Sequence, residues 1–490
     1  MHIPRTIQLL QSLTAGELRR FVQYVASPYF NQRQSLVRLA TYLQRAAPDY
    51  PPVLLERREL FRCMFGDEVP FDEQQVHDQL SGLLGLLEHF LAQIDFEEDA
   101  YAYDRHVLQA LDKRNLHEHF PRVLRKTQRR LQQEPQQDFR YYLNRYQVEV
   151  VEDSFYGKQQ NRRIGHDMRE MVRSLDLFYI SSKLRSACEM LNRQTILNQD
   201  YRPQLVEEIL GFLDQTDNPY RQVPAIAIYY QILLTYRHEN QPEHYEVLTQ
   251  LLEQHARAFS RSEAYSMYAY AQNYCIRRIN GGESAYLQQL FLLYQRLLAD
   301  ELIIEGGQLA HEHYKNISTV GLRLRQYDWV LQFLETYKSR LNSTDRESAY
   351  TYNLAVFHYE QQQYREAMRL LQQVEFADVY YRLSSKALLM KIYYEMADDE
   401  ALDYLVKAFS VFLRRNKDIA AYQAQTYTKM LRLTRKMARL RTRRAHTPDD
   451  KYAEVWQGLD REMTQGVPNV NWLRSKLADL APADQLKNTA

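Results

Sequence analysis

Apolar residues recur along this chain at helical spacing. One predicted helix covers residues 13–25, where Thr14 and Glu17 form a capping-box pattern and Pro28 ends the helix. A second begins at Asp72, a capping residue, and carries one apolar stripe: Val76, Leu80, Leu83, Leu84, Leu87, Phe90, Leu91 and Ile94. No regular repeat joins these helices. Residues 1–135 are therefore predicted to form an irregular helical domain or a capping unit.

A helix-pair repeat with a period of 34 residues occurs twice within residues 348–415. The matched pairs are Tyr359 with Tyr393, Ala367 with Ala401, Leu371 with Leu405 and Val374 with Ala408. A fixed period of this size is typical of stacked helical hairpins. Each hairpin has an apolar face that it can bury only against its neighbours.

The distribution of proline predicts that helices continue well beyond residues 348–415. None lies between Pro242 and Pro448, and an interior proline destabilises a helix by about 3 kcal/mol. We predict an all-α fold of stacked hairpins, an α-solenoid, over residues 136–444, closed by a long helix at about 418–444. Residues 445–490 are predicted to be a tail with a short helix around 472–480.

The repeated segment resembles the tetratricopeptide repeat. In the first copy the family pattern falls on Leu354, Ala355, Tyr359, Tyr364, Ala367, Leu371 and Val374. In the second copy it falls on Leu388, Tyr393, Ala401, Leu405 and Ala408. There are three departures: Leu389 replaces a small residue, Asp398 replaces the turn aromatic, and both copies lack the closing proline.

The resemblance implies a binding surface for peptide segments of partner proteins, because the family binds them on the concave face lined by the first helix of each pair. Carried over residue by residue, that face consists of Tyr352, Val356, Tyr359, Glu360, Lys386, Met390, Tyr393 and Tyr394. Alternatively, several of these side chains only pack against the neighbouring helix.

Positive and negative charges nearly cancel over the whole chain, but they are unevenly distributed along it. With 63 basic and 62 acidic residues the net charge is +1, so nothing global indicates nucleic acid. Residues 414–444, however, contain eleven basic residues and one acid, Asp418. The candidate anionic contact residues are Arg432, Arg435, Lys436, Arg439, Arg441, Arg443 and Arg444. Their partner is nucleic acid, anionic lipid or an acidic protein surface, and we expect a surface of the same chain.

Patterns that indicate catalysis or a cofactor are absent from the sequence. The clusters 117–119 and 311–313 read His-Glu-His, but residues two apart on a helix point about 200° apart and do not chelate one ion. The sequence has no glycine-rich phosphate loop and no GxSxG. We therefore expect no metal, no cofactor and no enzymatic activity.

The three cysteines, which lie far apart, indicate a reducing compartment. No signal peptide and no run of about 18 apolar residues is visible, so a cytoplasmic protein without a membrane span is expected. The favoured hypothesis is a non-catalytic scaffold that binds a protein partner on the concave face of the array. The alternative is a nucleic-acid-associated regulatory protein that uses the basic helix 414–444.

Overall fold

The computed structural model describes most of the chain: residues 5–158, 168–197, 201–373, 379–416, 418–463 and 467–482. Over these ranges the protein consists of 23 α-helices, four short 3-10 turns and one two-stranded hairpin. The predicted all-α fold is confirmed, and consecutive helices pack as neighbours through much of the chain.

Two compact units divide the chain, Met1–Ser186 with Leu205–Ile226 and Ala187–Gln204 with Ala227–Ala490. The helices of the first unit are α1 (Arg5–Ser12), α2 (Ala15–Ala26), α3 (Gln34–Ala46), α4 (Arg57–Phe65), α5 (Glu73–Glu98), α6 (Ala100–Lys113), α7 (Phe120–Gln133), α8 (Phe139–Lys158) and α10 (Val206–Leu213). Residues of both units form α9 (Met168–Leu197) and α11 (Pro224–Arg237). The domain limits predicted from the sequence remain predictions.

The helices of the second unit follow one another to the end of the described chain. They are α12 (Glu243–His255), α13 (Arg261–Asn280), α14 (Tyr286–Ala299), α15 (His311–Arg323), α16 (Tyr327–Lys338), α17 (Arg346–Glu360), α18 (Tyr364–Gln373), α19 (Val379–Glu395), α20 (Asp399–Arg415), α21 (Ala421–Arg443), α22 (Asp449–Glu462) and α23 (Val470–Ala478).

The helix-capping residues of the first unit form the hydrogen bonds that the sequence predicted. The Thr14 hydroxyl accepts a hydrogen bond from the Glu17 amide at 3.2 Å, and the Glu17 carboxylate accepts one from the Thr14 amide at 2.7 Å. Asp72 accepts bonds from the amides of the first turn of α5. The apolar stripe of α5 faces a core formed with α1 to α4. A separate core joins α6, α7 and α8, where the rings of Phe120 and Phe155 stack with centroids 3.6 Å apart.

Helices in the second unit pack in neighbouring pairs, which is compatible with the predicted repeat. The first helices of successive pairs, α15, α17 and α19, contact one another, and each also packs against its own second helix, α16, α18 or α20. Ala367 on α18 is fully buried. Gly321 precedes Ala355 by one period, and a Cβ atom there would lie 2.5 Å from Val330 Cγ2. Small residues therefore let the paired helices approach closely.

Two elements differ from the prediction. Within the predicted all-α array, residues 306–307 form the turn of a hairpin, in which β1 (Ile304–Glu305) pairs with β2 (Gln308–Leu309). Both glycines of this turn have positive φ angles, which glycine adopts without strain. The predicted tail carries two helices instead of one, because α22 precedes α23, and both share a buried core with α19, α20 and α21.

Candidate functional site

The predicted concave-face residues separate into two groups by exposure. Four are buried: Tyr352, Tyr359, Met390 and Tyr394. Four are accessible: Val356, Glu360, Lys386 and Tyr393. The four buried side chains fit the alternative that several of these residues pack against neighbouring helices, and the binding role of the face stays a prediction.

The C-terminal helix α23 contributes to this burial at Tyr394. Trp472 places its ring edge against Tyr394, with centroids 5.3 Å apart. Its Nε1 donates a 2.8 Å hydrogen bond to Glu395 Oε1, and Lys476 Nζ lies 2.9 Å from Glu395 Oε2. Tyr359 donates a hydrogen bond to the same carboxylate at 3.4 Å. The chain thus covers part of the predicted partner face with its own helix.

Burial also changes the protonation chemistry of this face. It raises the pKa of Tyr359, and the neighbouring Glu395 carboxylate raises it further. Burial raises the pKa of Tyr394 to about 12. Both phenols therefore remain protonated at neutral pH, and the Tyr359 hydroxyl donates its hydrogen bond to Glu395.

Most of the basic residues of α21 contact acidic residues of their own chain. Arg435 binds Asp403 of α20 through two bonds, Nε to Oδ1 at 2.7 Å and Nη2 to Oδ2 at 3.1 Å. Arg441 lies 2.9 Å from Asp399 and also donates to the Tyr394 carbonyl at 2.6 Å. The paired guanidinium of Arg435 lowers the pKa of Asp403.

A second set of pairs joins this basic segment to α22. Arg432 and Lys436 both bind Glu462, at 3.0 and 2.8 Å, and lower its pKa. Arg444, just after α21, binds Asp449 at 2.7 Å. Arg439 and Arg443 are exposed and make no ion pair within the described ranges. Five of the seven candidate residues are therefore paired inside the chain, which supports the intramolecular interpretation.

An exposed apolar surface on α9, which the sequence analysis did not identify, is the strongest candidate for partner binding. Met168, Val172, Leu175 and Tyr179 lie four, three and four residues apart, so they share one side of the helix. Met168 is 58% exposed and Tyr179 is 42% exposed. The opposite side of α9 is buried through Leu177, Ile180 and Leu184. We call the exposed residues, together with Leu205 and Phe212 beside them, the α9 face.

Two grooves lie along the α9 face. The first, of about 350 Å³, runs between α9 and the turn at Pro219 and Tyr220. The second, of about 410 Å³, runs between α9 and α10 and includes Tyr179 and Phe212 in its lining. Asp176 lines both grooves and accepts a 2.9 Å hydrogen bond from the Tyr220 hydroxyl.

Polar groups surround the apolar centre of these grooves. Arg169 and Arg173 line the first, and Glu208 lines the second. An apolar centre with a charged rim is the composition of a protein-binding surface. The spacing of Met168, Val172, Leu175 and Tyr179 was visible in the sequence, but sequence alone did not show that this stripe faces outward.

Histidines of both His-Glu-His clusters contact neighbouring side chains of the protein. His313 Nε2 lies 3.2 Å from the Tyr265 hydroxyl, and His311 Nε2 lies 3.2 Å from its neighbour Glu312. His117 contacts the ring of Phe155. No group of three or more His, Cys, Asp or Glu side chains in the described ranges could hold a metal ion.

The thiols are similarly enclosed. Cys188 and Cys275 are buried, and burial raises the pKa of each, that of Cys275 to about 11. Cys63 is half-buried, and its pKa is also raised to about 11. All three thiols therefore stay protonated at neutral pH, where they are weak nucleophiles.

Among the helices that the structure describes, none combines the length and apolar character needed to cross a membrane. The sequence matches no protein-family model and no curated protein.

Proposed function

We propose that this protein is a non-catalytic interaction scaffold that binds an apolar segment of a partner protein on the α9 face. The observation that carries the proposal is the row of four exposed apolar side chains on α9 beside two grooves. Contiguous exposed apolar surface costs free energy in water, and in folded proteins it marks interaction sites.

The dimensions of the grooves suit side chains of a partner segment. Cavities of about 300 Å³ or more can enclose large apolar groups. Side chains spaced at i, i+4, i+7 and i+11 on α9 form a straight row, which matches the apolar stripe of a second amphipathic helix or one side of an extended peptide. Asp176 and the rim charges would then fix the register of the bound segment.

The hairpins from α15 to α20 support the scaffold role through their resemblance to tetratricopeptide repeats. We infer that they form a rigid array of that kind. Their concave face remains a predicted second binding surface through its accessible residues, Val356, Glu360, Lys386 and Tyr393. A segment bound there would lie beside α23, which already occupies part of the face. The cytoplasmic location also remains a prediction.

The alternative of nucleic-acid binding through residues 414–444 has less support. Five of the seven candidate cations form ion pairs with Asp399, Asp403, Asp449 or Glu462. Each contact with phosphate at these positions would first have to break a pair within the chain.

The test replaces apolar side chains of the α9 face by serine in one variant, Met168→Ser with Val172→Ser and Tyr179→Ser. A matched control changes three comparably exposed apolar residues of the second unit, Leu292→Ser with Leu331→Ser and Tyr404→Ser. Both variants and the wild type are purified from native cells after nuclease treatment, and bound proteins are identified by mass spectrometry.

We expect the α9 variant to lose partners that the wild type and the control retain, with unchanged circular dichroism. Equal partner recovery by all three proteins would contradict the α9 assignment. Loss in the control alone would move the site to the second unit.

A further inference from the structure

The helix α7 carries an unusual concentration of positive charge. It contains no acidic residue and five basic ones: Arg122, Arg125, Lys126, Arg129 and Arg130. They lie three, one, three and one residues apart, so together they follow one side of the helix over about 12 Å at 1.5 Å per residue. This segment was not among the predicted sites.

The orientation of α7 is fixed by its apolar side. Phe120, Leu124 and Leu131 are buried in the core shared with α6 and α8. Because this side is occupied, the basic side faces outward. It lines a groove of about 570 Å³ together with Val123 and Gln133.

One buried carboxylate compensates part of the charge. Asp104 of α6 lies 2.8 Å from Arg130 Nη1 and 3.5 Å from Lys126 Nζ, and it also accepts a hydrogen bond from Thr127 at 3.1 Å. Asp104 therefore holds two of the five cations in place on the groove wall. Asp104 is buried, and the two cations that it binds offset its negative charge.

Three arginines of the groove are not compensated in this way. Arg122, Arg125 and Arg129 are exposed, and their side chains make no ion pair or hydrogen bond within the described part of the chain. They contrast with α21, where most cations bind neighbouring carboxylates. The electrostatic field of α7 is therefore directed into solvent.

We propose that the α7 groove binds the phosphate backbone of nucleic acid without reading its sequence. Arginine forms bidentate, charge-assisted hydrogen bonds with phosphate oxygens. One strand of a duplex presents a phosphate about every 3.4 Å of axis, so a row of about 12 Å faces about three phosphates.

The composition of the groove favours nucleic acid over other anions. A peptide partner needs apolar anchor pockets, and a membrane surface binds a basic helix mainly through an apolar side that enters the lipid. Val123 is the one apolar residue of the groove lining, and the apolar side of α7 is already buried. Phosphate contacts require cations alone.

The test measures binding of the full-length protein to a labelled duplex of mixed sequence, about 20 base pairs long, by fluorescence anisotropy at several salt concentrations. Neutralising three phosphates gives a slope of log affinity against log salt of about −2.7, which is a loss of roughly 40-fold between about 50 and 200 mM salt. The groove variant is Arg122→Gln with Arg125→Gln and Arg129→Gln. The control, Arg45→Gln with Arg323→Gln and Arg365→Gln, removes the same charge from exposed positions outside both α7 and residues 414–444.

The groove variant should lose most of the affinity and nearly all of the salt dependence, by about one unit of slope for each arginine. The control should bind as the wild type does, and circular dichroism should show both variants folded. Equal weakening of both variants would overturn the assignment to α7. So would absence of duplex binding at the lowest salt. Tighter binding to poly-glutamate or to vesicles with anionic lipid, lost in the same groove variant, would show a different anionic partner.

Discussion

At the scale of single residues, small side chains decide how closely paired helices approach. Ala355 and Ala367 are fully buried in the pair α17 and α18. Gly321 takes the position of Ala355 in the preceding pair, where a Cβ atom would overlap Val330. The sequence predicted the alanine positions through the 34-residue period, but it did not identify Gly321 as part of the same series.

Ala367→Leu is expected to destabilise the fold by about 1–3 kcal/mol, because the interface of α18 has no room for three further carbon atoms. Ala401→Leu should cost less, since Ala401 is half-buried in the first turn of α20, where its amide binds the capping Asp398. Urea unfolding monitored by circular dichroism measures both. Equal midpoints for wild type and Ala367→Leu would refute the close crossing.

A count of tyrosines does not show which partners their hydroxyl groups bind. The sequence contains 38 tyrosines, and many of them pack in the cores. Tyr229, for example, donates a 2.7 Å hydrogen bond to Glu263 with both residues buried. The polar partner of each ring is set by tertiary contact, which the local sequence does not encode.

At the scale of elements, α21 is held by ion pairs from both sides. Arg435→Glu with Arg441→Glu would place like charges against Asp403 and Asp399, so we expect a lower melting temperature, equivalent to about 1–2 kcal/mol once solvent screening is allowed for. The matched control, Arg439→Glu with Arg443→Glu, changes exposed residues and should alter stability by no more than about 0.5 kcal/mol. Greater loss in the control would place the anchoring contacts of α21 elsewhere.

Some elements could be predicted from the sequence and others could not. The predicted helix 418–444 is α21 (Ala421–Arg443), and the one expected at 472–480 is α23 (Val470–Ala478). The helix α22 was missed, although Tyr452, Val455, Trp456 and Leu459 lie three, one and three residues apart. Its apolar row was overlooked because a proline and two acids at its start resembled the opening of a tail.

The predicted concave face shows more clearly what the sequence could not predict. Helical spacing placed Tyr359, Met390 and Tyr394 together, and all three do lie in the same unit. What the repeat did not encode is the covering helix: Trp472 binds Glu395 across 77 residues of sequence. Conversely, the spacing of the apolar row on α9 is that of an ordinary core stripe. Only the structure shows that these side chains are exposed.

At the scale of the whole molecule, a net charge of +1 conceals two basic segments with different environments. In α21 the cations are paired with acids of α20 and α22. In α7 two cations pair with the buried carboxylate of Asp104, and three arginines face solvent. The two segments have similar composition, so composition alone would assign them the same role. The ion pairs distinguish them, because they occupy most cations of α21 and leave three arginines of α7 exposed to solvent.

The central claim is that the α9 face binds a partner protein directly. The most direct measurement places a photo-crosslinking amino acid at Tyr179 in the native cell and, separately, at the exposed Tyr404 of α20. After irradiation, crosslinked products are identified by mass spectrometry. We expect one dominant protein to be crosslinked from position 179 and not from position 404, and to be lost when Met168 and Val172 are replaced by serine. The same products from both positions, or none from position 179, would contradict it.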